Sequence, residues 1–234
     1  MKRQVIVAGA GAAGLMAAGQ SAGQGAETIL LEKMDRPGVK LRITGQGRCN
    51  LTNVDPIREV IKHFPAGRYF IRPALYNFSN DDLRAFFAER GVPTEVQRGG
   101  RVFPTSEDAR DVVGALTGWI LEQHVTLRTQ SAVDRLIVEG GRVAGLHVTD
   151  GRVYRADGVV IATGGASYPA TGSSGDGYRL AESVGHAIVP IRPALVPLET
   201  AGDVAPRLEG LSLRNVHVSV WIVAPGLSLA NGGK

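Results

Sequence analysis

The chain has 234 residues, 44% of them hydrophobic and 21% charged, with a formal net charge of +4. That length accommodates one large domain or two modest ones, and the composition excludes a disordered or fibrous chain. A single cysteine excludes an internal disulfide framework, and no apolar run reaches the roughly 18 residues that a membrane-spanning helix needs.

Lys and Arg are scattered, with no run of four or more, so the mild basic balance reads as a solvated surface and nucleic acid is not an expected partner. The N-terminus starts basic and continues apolar, but its glycines are spaced for a turn and no cleavage region follows. No signal peptide is read there, and the cytoplasm is the expected compartment. Glycine numbers 31, against about 16 at average usage. Without Pro/Ser low complexity, that excess predicts tight turns and close backbone approaches.

Gln4 to Ala8 (QVIVA) is a short β-branched run of the kind buried in a parallel sheet. An Ala-rich helix over Ala12 to Gln24 follows, then a second buried strand over Glu27 to Glu32, giving a β-α-β unit. Residues 33–55 read as one long loop, a length that is usually functional. Further helical segments follow. In SNDDLRAFFAERG, Ser79 or Asn80 is the N-cap, Leu83, Phe86 and Phe87 share a face, and Gly91 stops the helix. In TSEDARDVVGALTGWILEQ, Thr105 and Asp108 resemble a capping box, and Val112, Val113, Leu116, Trp119 and Ile120 form the buried stripe.

From Val125 the period switches to two. Strands are broken at Gly140-Gly141 and Asp150-Gly151, both good hairpin turns, and the segment ends in a buried strand over Gly158 to Ala162. A Gly-rich loop (Thr163 to Gly177) leads to a helix near Tyr178 to Val184. Beyond Val189 the composition becomes proline-punctuated, and LRNVHVSVWIV alternates like a sheet strand. The boundary is placed at 190: residues 1–190 form a dinucleotide-binding domain, and 191–234 begin a β-rich insertion or substrate domain.

Gly9-Ala10-Gly11-Ala12-Ala13-Gly14 is a G-x-G-x-x-G turn between strand and helix, with Glu32 at the end of the next strand. Gly9 permits the tight turn, Gly11 lets a pyrophosphate approach the backbone, and Gly14 lets helix and strand pack closely. The free amides and positive dipole end of the helix stabilise the diphosphate, and Glu32 can accept hydrogen bonds from a ribose. A carboxylate there disfavours a 2′-phosphate, which leaves NAD and FAD. The long loop, the helices and the β-meander inserted before VVIATGG are the layout of FAD-binding proteins.

The stretch Leu41 to Asn53 (LRITGQGRCNLTN) admits two readings. Gly45 and Gly47 can turn successive amides to one point, Arg48 adds a planar cationic fork, and Asn50 and Asn53 offer donors and acceptors to a polar ring, so the loop can lie along a flavin and stabilise its reduced, anionic form. Equally, it can be a self-satisfied Ω-loop, with Arg48 capping carbonyls and the asparagines making turns. Cys49 has no partner for a dithiol relay and reads as a small buried space-filler. Asp176 reads as a helix N-cap or, alternatively, as a residue facing the flavin or substrate. Ser167 and Tyr168 are candidate proton donors. His186 reads as a packed structural residue, and His63, His124, His147 and His217 show no metal spacing.

VIVAGAGAAGL, GVKLRITGQGRCNLTN, GRVFPTSEDARDVVGAL and VIATGGASYPATGSSGDGYRLAESVGH together resemble the BaiN/YhiN-like flavoproteins, described as NAD(P)/FAD-dependent oxidoreductases or the aminoacetone-oxidase-like group. The resemblance runs from residue 4 to about 200. It implies an α/β, Rossmann-like fold of the two-dinucleotide-binding type with non-covalent FAD, and a hydride transfer between flavin and a small organic substrate with NAD(P)H as electron source. By motif, Gly9, Gly11, Ala12, Ala13 and Gly14 would cradle the pyrophosphate, Glu32 would hold the ribose, Val133 would present backbone to the adenine, and Thr163 and Gly164 would reach the cofactor. Lys33, Lys40, Gly45, Gly47, Arg48, Cys49 and Asn50 are counted with them. Such proteins run past the equivalent of Lys234 and re-enter the first domain. That return is not found, so the chain reads as a truncated or degenerate member. Alternatives are a binding-only or inactive flavoprotein, a flavin-dependent RNA-modifying enzyme, and a plain NAD dehydrogenase.

Overall fold

In the computed structural model, β1 (Gln4–Ala8), α1 (Ala12–Gly23) and β2 (Glu27–Leu31) form the expected β-α-β unit. The structure describes residues 2–64 and 67–193, and beyond them 199, 201–211, 217 and 219. Next come β3 (Thr52–Asn53), α2 (Ile57–Lys62), α3 (Arg68–Asn77), α4 (Asn80–Ala88), β4 (Thr94–Gln97), β5 (Arg101–Pro104) and α5 (Ala109–Glu122). The chain continues through β6 (Thr126–Arg128), β7 (Val133–Glu139), β8 (Arg142–Val148), β9 (Val153–Arg155), β10 (Gly158–Ile161) and α6 (Asp176–Glu182). These elements belong to the first of two compact units, Met1–Val189 and Pro190–Lys234; α7 (Val204–Arg207) lies in the second. The alternating segment 213–223 lies outside the described residues, apart from His217 and Ser219.

A four-stranded parallel sheet, in the order β10-β1-β2-β6, is the frame of the first unit. Side chains on a strand alternate between faces, and β1 and β2 use that alternation to build two cores. Val7 and Leu30 pack with Leu15 and Ala18 of α1 and with Leu116, Trp119 and Ile120 of α5. Ile6 and Leu31 point the other way, onto Leu146 and Val148 of the antiparallel meander β7-β8-β9. Between α1 and α5 the contact is close because Gly19 has no side chain: a Cβ there would overlap the Trp119 ring.

α4 starts as its sequence requires. The Ser79 hydroxyl accepts from the Asp82 amide at 3.1 Å, and the Asp82 carboxylate accepts from the Ser79 amide at 2.8 Å. For α5 the expected Thr105–Asp108 box does not form. Thr105 sits in a turn and donates its hydroxyl to the Pro93 carbonyl at 3.1 Å, while Asp108 alone caps the helix, accepting from the Arg110 amide at 2.8 Å. Two further differences concern strands. Residues 94–104 form β4 and β5 of a small antiparallel sheet ordered β3-β5-β4, and β6 joins the parallel sheet rather than the meander. All three are short strands, three or four residues long, and a period-two pattern cannot declare itself over so few positions.

Candidate functional site

The carboxyl ends of β1, β2 and β10 open into a cavity of about 520 Å³, the position where open α/β sheets bind ligands. Its floor is the turn after β1. Gly9 holds φ at 101°, its amide donates to the Leu31 carbonyl at 2.7 Å, and a Cβ on it would stand 2.5 Å from the Ala162 carbonyl oxygen. A Cβ on Gly14 would overlap the Gly9 carbonyl oxygen, so this glycine seats α1 on the turn. Gly11 is different: a Cβ there would meet nothing within 4 Å, because that space is the cavity. α1 begins after Gly11 with no side-chain cap. The amides of its first turn therefore have no intrahelical acceptor and face the side where an anion is stabilised.

Glu32 forms one wall and is 8% exposed. Its two carboxylate oxygens accept from the backbone amides of Ala10 at 2.7 Å and Met34 at 2.8 Å. Each oxygen keeps a second lone pair for a ligand hydroxyl. The Ser131 amide donates to the Glu32 carbonyl at 2.8 Å, which brings Ser131 and Val133 to the same wall.

Lys33 and Lys40 reach across to the loop between β10 and α6. Lys33 Nζ donates to the Asp176 carboxylate at 2.7 Å and to the Ser174 hydroxyl at 2.5 Å. Lys40 Nζ donates to the Ser167 carbonyl at 3.0 Å and to its hydroxyl at 3.1 Å. Asp176 is not the N-cap expected of it. Gly175 takes that position, and Asp176 lies in the first turn of α6. Burial raises its carboxyl pKa, but the hydrogen bonds from Lys33 and Ser174 outweigh burial and hold it below the ordinary value. Opposite, Thr163 and Gly164 line the cavity, and the buried Thr163 hydroxyl has no partner among the described residues.

The cavity thus gathers Gly9, Gly11, Ala12, Ala13, Glu32, Lys33, Lys40, Val133, Thr163 and Gly164, with Gly14 directly beneath. It does not gather Gly45, Gly47, Arg48, Cys49 or Asn50. The 41–50 segment turns through left-handed backbone at Gly45, Gln46, Gly47 and Cys49 (φ 56°, 59°, 86° and 61°). Arg48 ion-pairs with Glu107 at 2.7 Å, donates to the Gln97 amide oxygen at 3.2 Å and stacks 4.4 Å over the Phe103 ring. Asn50, with its amide nitrogen turned inward, reaches the carbonyls of Thr52 at 3.1 Å and Val102 at 3.2 Å. Asn53 makes a turn, accepting from the Asp55 amide at 2.9 Å. Cys49 is 2% exposed within the core. Burial pushes its thiol pKa up, and a hydrogen bond with Thr44 offsets part of that. Leu41 and Thr44 of the same loop line the cavity, while Arg48, Asn50 and Asn53 find their partners within the protein.

Residues not anticipated as site residues also line the cavity: Gly38, Val39, Leu41, Thr44, Ser131, Thr171, Gly172 and Ser173. The Pro37-Gly38 pair was the available signal, since such dipeptides mark turns. The Gly38 amide donates to the Ala10 carbonyl at 2.9 Å and ties the loop to the glycine turn. Ser167 and Tyr168 do not line the cavity, and His186 is exposed rather than packed. No helix among the described residues is long and apolar enough to cross a membrane.

A glycine turn with bare amides, a carboxylate one strand over and a meander feeding β10 define a Rossmann-type FAD/NAD(P)-binding fold. The residues fit such a ligand: Gly11 leaves its Cβ space open, and the Thr163 hydroxyl is left unpartnered at the same wall. The chain belongs to the family of the HI0933-like protein Rossmann domain, whose model matches residues 3–230. It is 35% identical over 201 residues to the 3-dehydro-bile acid delta(4,6)-reductase of Clostridium scindens, covering 84% of this chain and 47% of that protein. It is 31% identical over 228 residues to the ribosomal RNA dihydrouridine synthase of Escherichia coli, covering 97% of this chain and 54% of that one. The chain spans about half the length of these curated relatives. Among solved structures, the open conformation of a flavocytochrome c3 fumarate reductase superposes with a TM-score of 0.62 at 23% identity, over 80% of this chain and 41% of that one, a likeness of fold.

Proposed function

We propose that the protein is an FAD-dependent oxidoreductase that reduces a carbon–carbon double bond polarised by a conjugated carbonyl, with NAD(P)H as electron source. The observation that carries the reading is the Gly9–Gly14 turn, with free helix amides at the cavity floor and Glu32 at its wall. In this reading the first-turn amides of α1 hold the diphosphate, Glu32 accepts the ribose hydroxyls, and Ser131 and Val133 flank the adenosine end. Lys33 and Lys40 hold the 163–177 loop over the cavity and exclude water from it. FAD would supply the two-electron redox step, and the chain supplies binding, orientation and electrostatics. Support for the substrate class comes from the two curated relatives. A 3-dehydro delta(4,6) bile acid and a uridine base share a C=C bond conjugated to a carbonyl, and both names denote its reduction.

The substrate admits a second form, a base in RNA. It is favoured by the relative named as a ribosomal RNA dihydrouridine synthase, whose alignment covers 97% of this chain. The first experiment is reconstitution of the purified chain with FAD, followed by calorimetric titration, absorption spectroscopy and anaerobic NADPH or NADH addition. A bound flavin that bleaches with NAD(P)H is expected. A chain that binds no FAD at any accessible concentration would end this reading.

A further inference from the structure

Away from the cavity, the segment 56–78 carries Arg58, Lys62, Arg68 and Arg72 against one acid, Glu59, so it holds a net +3 of the chain's +4. It also carries Phe64, Tyr69, Phe70, Tyr76 and Phe78, five aromatics from a chain with 6 Phe, 5 Tyr and 2 Trp. In sequence these charges are interrupted and form no run. Folding packs α2 against α3 and gathers Arg58, Ile61, Arg68, Tyr69, Arg72 and Tyr76 around one groove of about 210 Å³.

Two of the three arginines on that groove are free of carboxylates among the described residues. Glu59 is engaged by Lys62 at 2.8 Å and lies 3.8 Å from Arg58. Among the described residues, Arg68 and Arg72 meet no carboxylate in an ion pair. Instead each lies over an aromatic ring, Arg68 at 5.0 Å from the Tyr69 centroid and Arg72 at 5.6 Å from that of Tyr76. The rings themselves are open to solvent: Tyr69 is 75% exposed, Phe70 90% and Tyr76 56%. A protein does not ordinarily leave three large rings and two unneutralised guanidinium groups together on one helix.

We infer that the α2–α3 face is a docking surface for single-stranded RNA. Unpaired arginines neutralise phosphates, and every unstacked base offers a π-face to an exposed ring. Charge complementarity selects a polyanion. The aromatic rings select one whose bases are splayed, because a duplex hides its base faces. The inference extends the RNA form of the function proposed above, with the surface holding the strand while a base is presented elsewhere.

The test is fluorescence anisotropy of the full chain with a labelled oligouridylate of about 12 nucleotides, from about 50 to about 200 mM NaCl. Duplex RNA of equal length and phosphatidylserine vesicles serve as competitors. Salt-sensitive binding of the single strand is expected, with duplex and vesicles competing poorly. Phe70→Ala or Tyr69→Ala should weaken binding about 5- to 150-fold through lost stacking. The double change Arg68→Gln/Arg72→Gln should reduce the log–log salt slope by about 1.4. Absence of binding by the unaltered chain, binding that survives all these substitutions, or equal competition by duplex or vesicles overturns the inference. FAD titration of each variant runs alongside: lost RNA binding with intact FAD binding concerns this surface alone, whereas an unaltered chain that binds RNA but no FAD sinks the flavin reading and leaves the surface standing.

Discussion

The Glu32 carboxylate accepts a hydrogen bond from the Ala10 amide at 2.7 Å, joining the end of β2 to the glycine turn after β1. One residue thus serves two ends: it braces the turn that presents the amides, and it keeps lone pairs open toward the cavity. Glu32→Ala removes both functions at once. A hydrogen bond to a charged group is worth about 1.5–3 kcal/mol, so FAD binding should weaken by at least about tenfold, read by calorimetric titration. Glu32→Gln, which keeps one carbonyl acceptor but turns an NH₂ toward an amide, should fall no closer to the unaltered chain than midway.

The three glycines of the turn should separate by assay. Gly9→Ala and Gly14→Ala force a Cβ against backbone and should lower the thermal midpoint of the cofactor-free chain, at a cost of about 1–3 kcal/mol. Gly11→Ala meets nothing within 4 Å. It should leave that midpoint unchanged while weakening FAD binding. If Gly11→Ala destabilises the empty chain as much as Gly14→Ala does, the space above Gly11 is not a ligand space.

Asp176 and Lys33 clasp the loop over the cavity at 2.7 Å. A carboxyl whose pKa is lowered on folding contributes its stability above the unfolded value and loses it as pH falls through the folded one. The Asp176 pKa is lowered from 3.8, so the clasp should hold through neutral and mildly acidic pH and release only below that value. Amide hydrogen exchange over residues 163–177 should be flat from neutral pH down to the carboxylate range once corrected for intrinsic rates. Asp176→Asn should raise it at every pH in that window. Unchanged exchange in the variant would mean that the Asp176 carboxylate is not what holds the loop.

Cys49 is buried and its thiol pKa is raised, so it should alkylate slowly in the folded chain and rapidly in denaturant. Cys49→Ser places a hydroxyl in the core and should cost about 1–3 kcal/mol in stability, with FAD binding kept. Near-total loss of turnover with the flavin still bound would instead make the thiol a chemical participant.

Arg48 donates to Glu107 and Gln97 from one terminal guanidinium nitrogen, and its planar group lies on the Phe103 ring. Lysine lacks that stacking plane. Arg48→Lys should therefore lower the midpoint of denaturant unfolding while FAD affinity changes less than it does in Glu32→Ala. The opposite ranking would bring Arg48 back to the cofactor.

The sequence by itself determined the β1-α1-β2 unit, its glycine turn and Glu32, because these depend on steric rules acting within about 30 contiguous residues. It also determined the meander, whose β7 and β8, at seven residues each, are long enough to show a period of two and whose turns carry Gly140-Gly141 and Asp150-Gly151. Only the tertiary structure showed what the 41–53 loop meets. Gly45, Arg48 and Asn50 suit a cofactor or a self-satisfied turn equally well by sequence. The partners of Arg48 are Gln97, Phe103 and Glu107, which β4, β5 and the turn after them bring up from some 50 residues away. The clasp of Lys33 on Asp176, 143 positions apart, is of the same kind. It joins groups distant in the chain, and local pattern carries no information about which distant side chain will arrive to satisfy a charge.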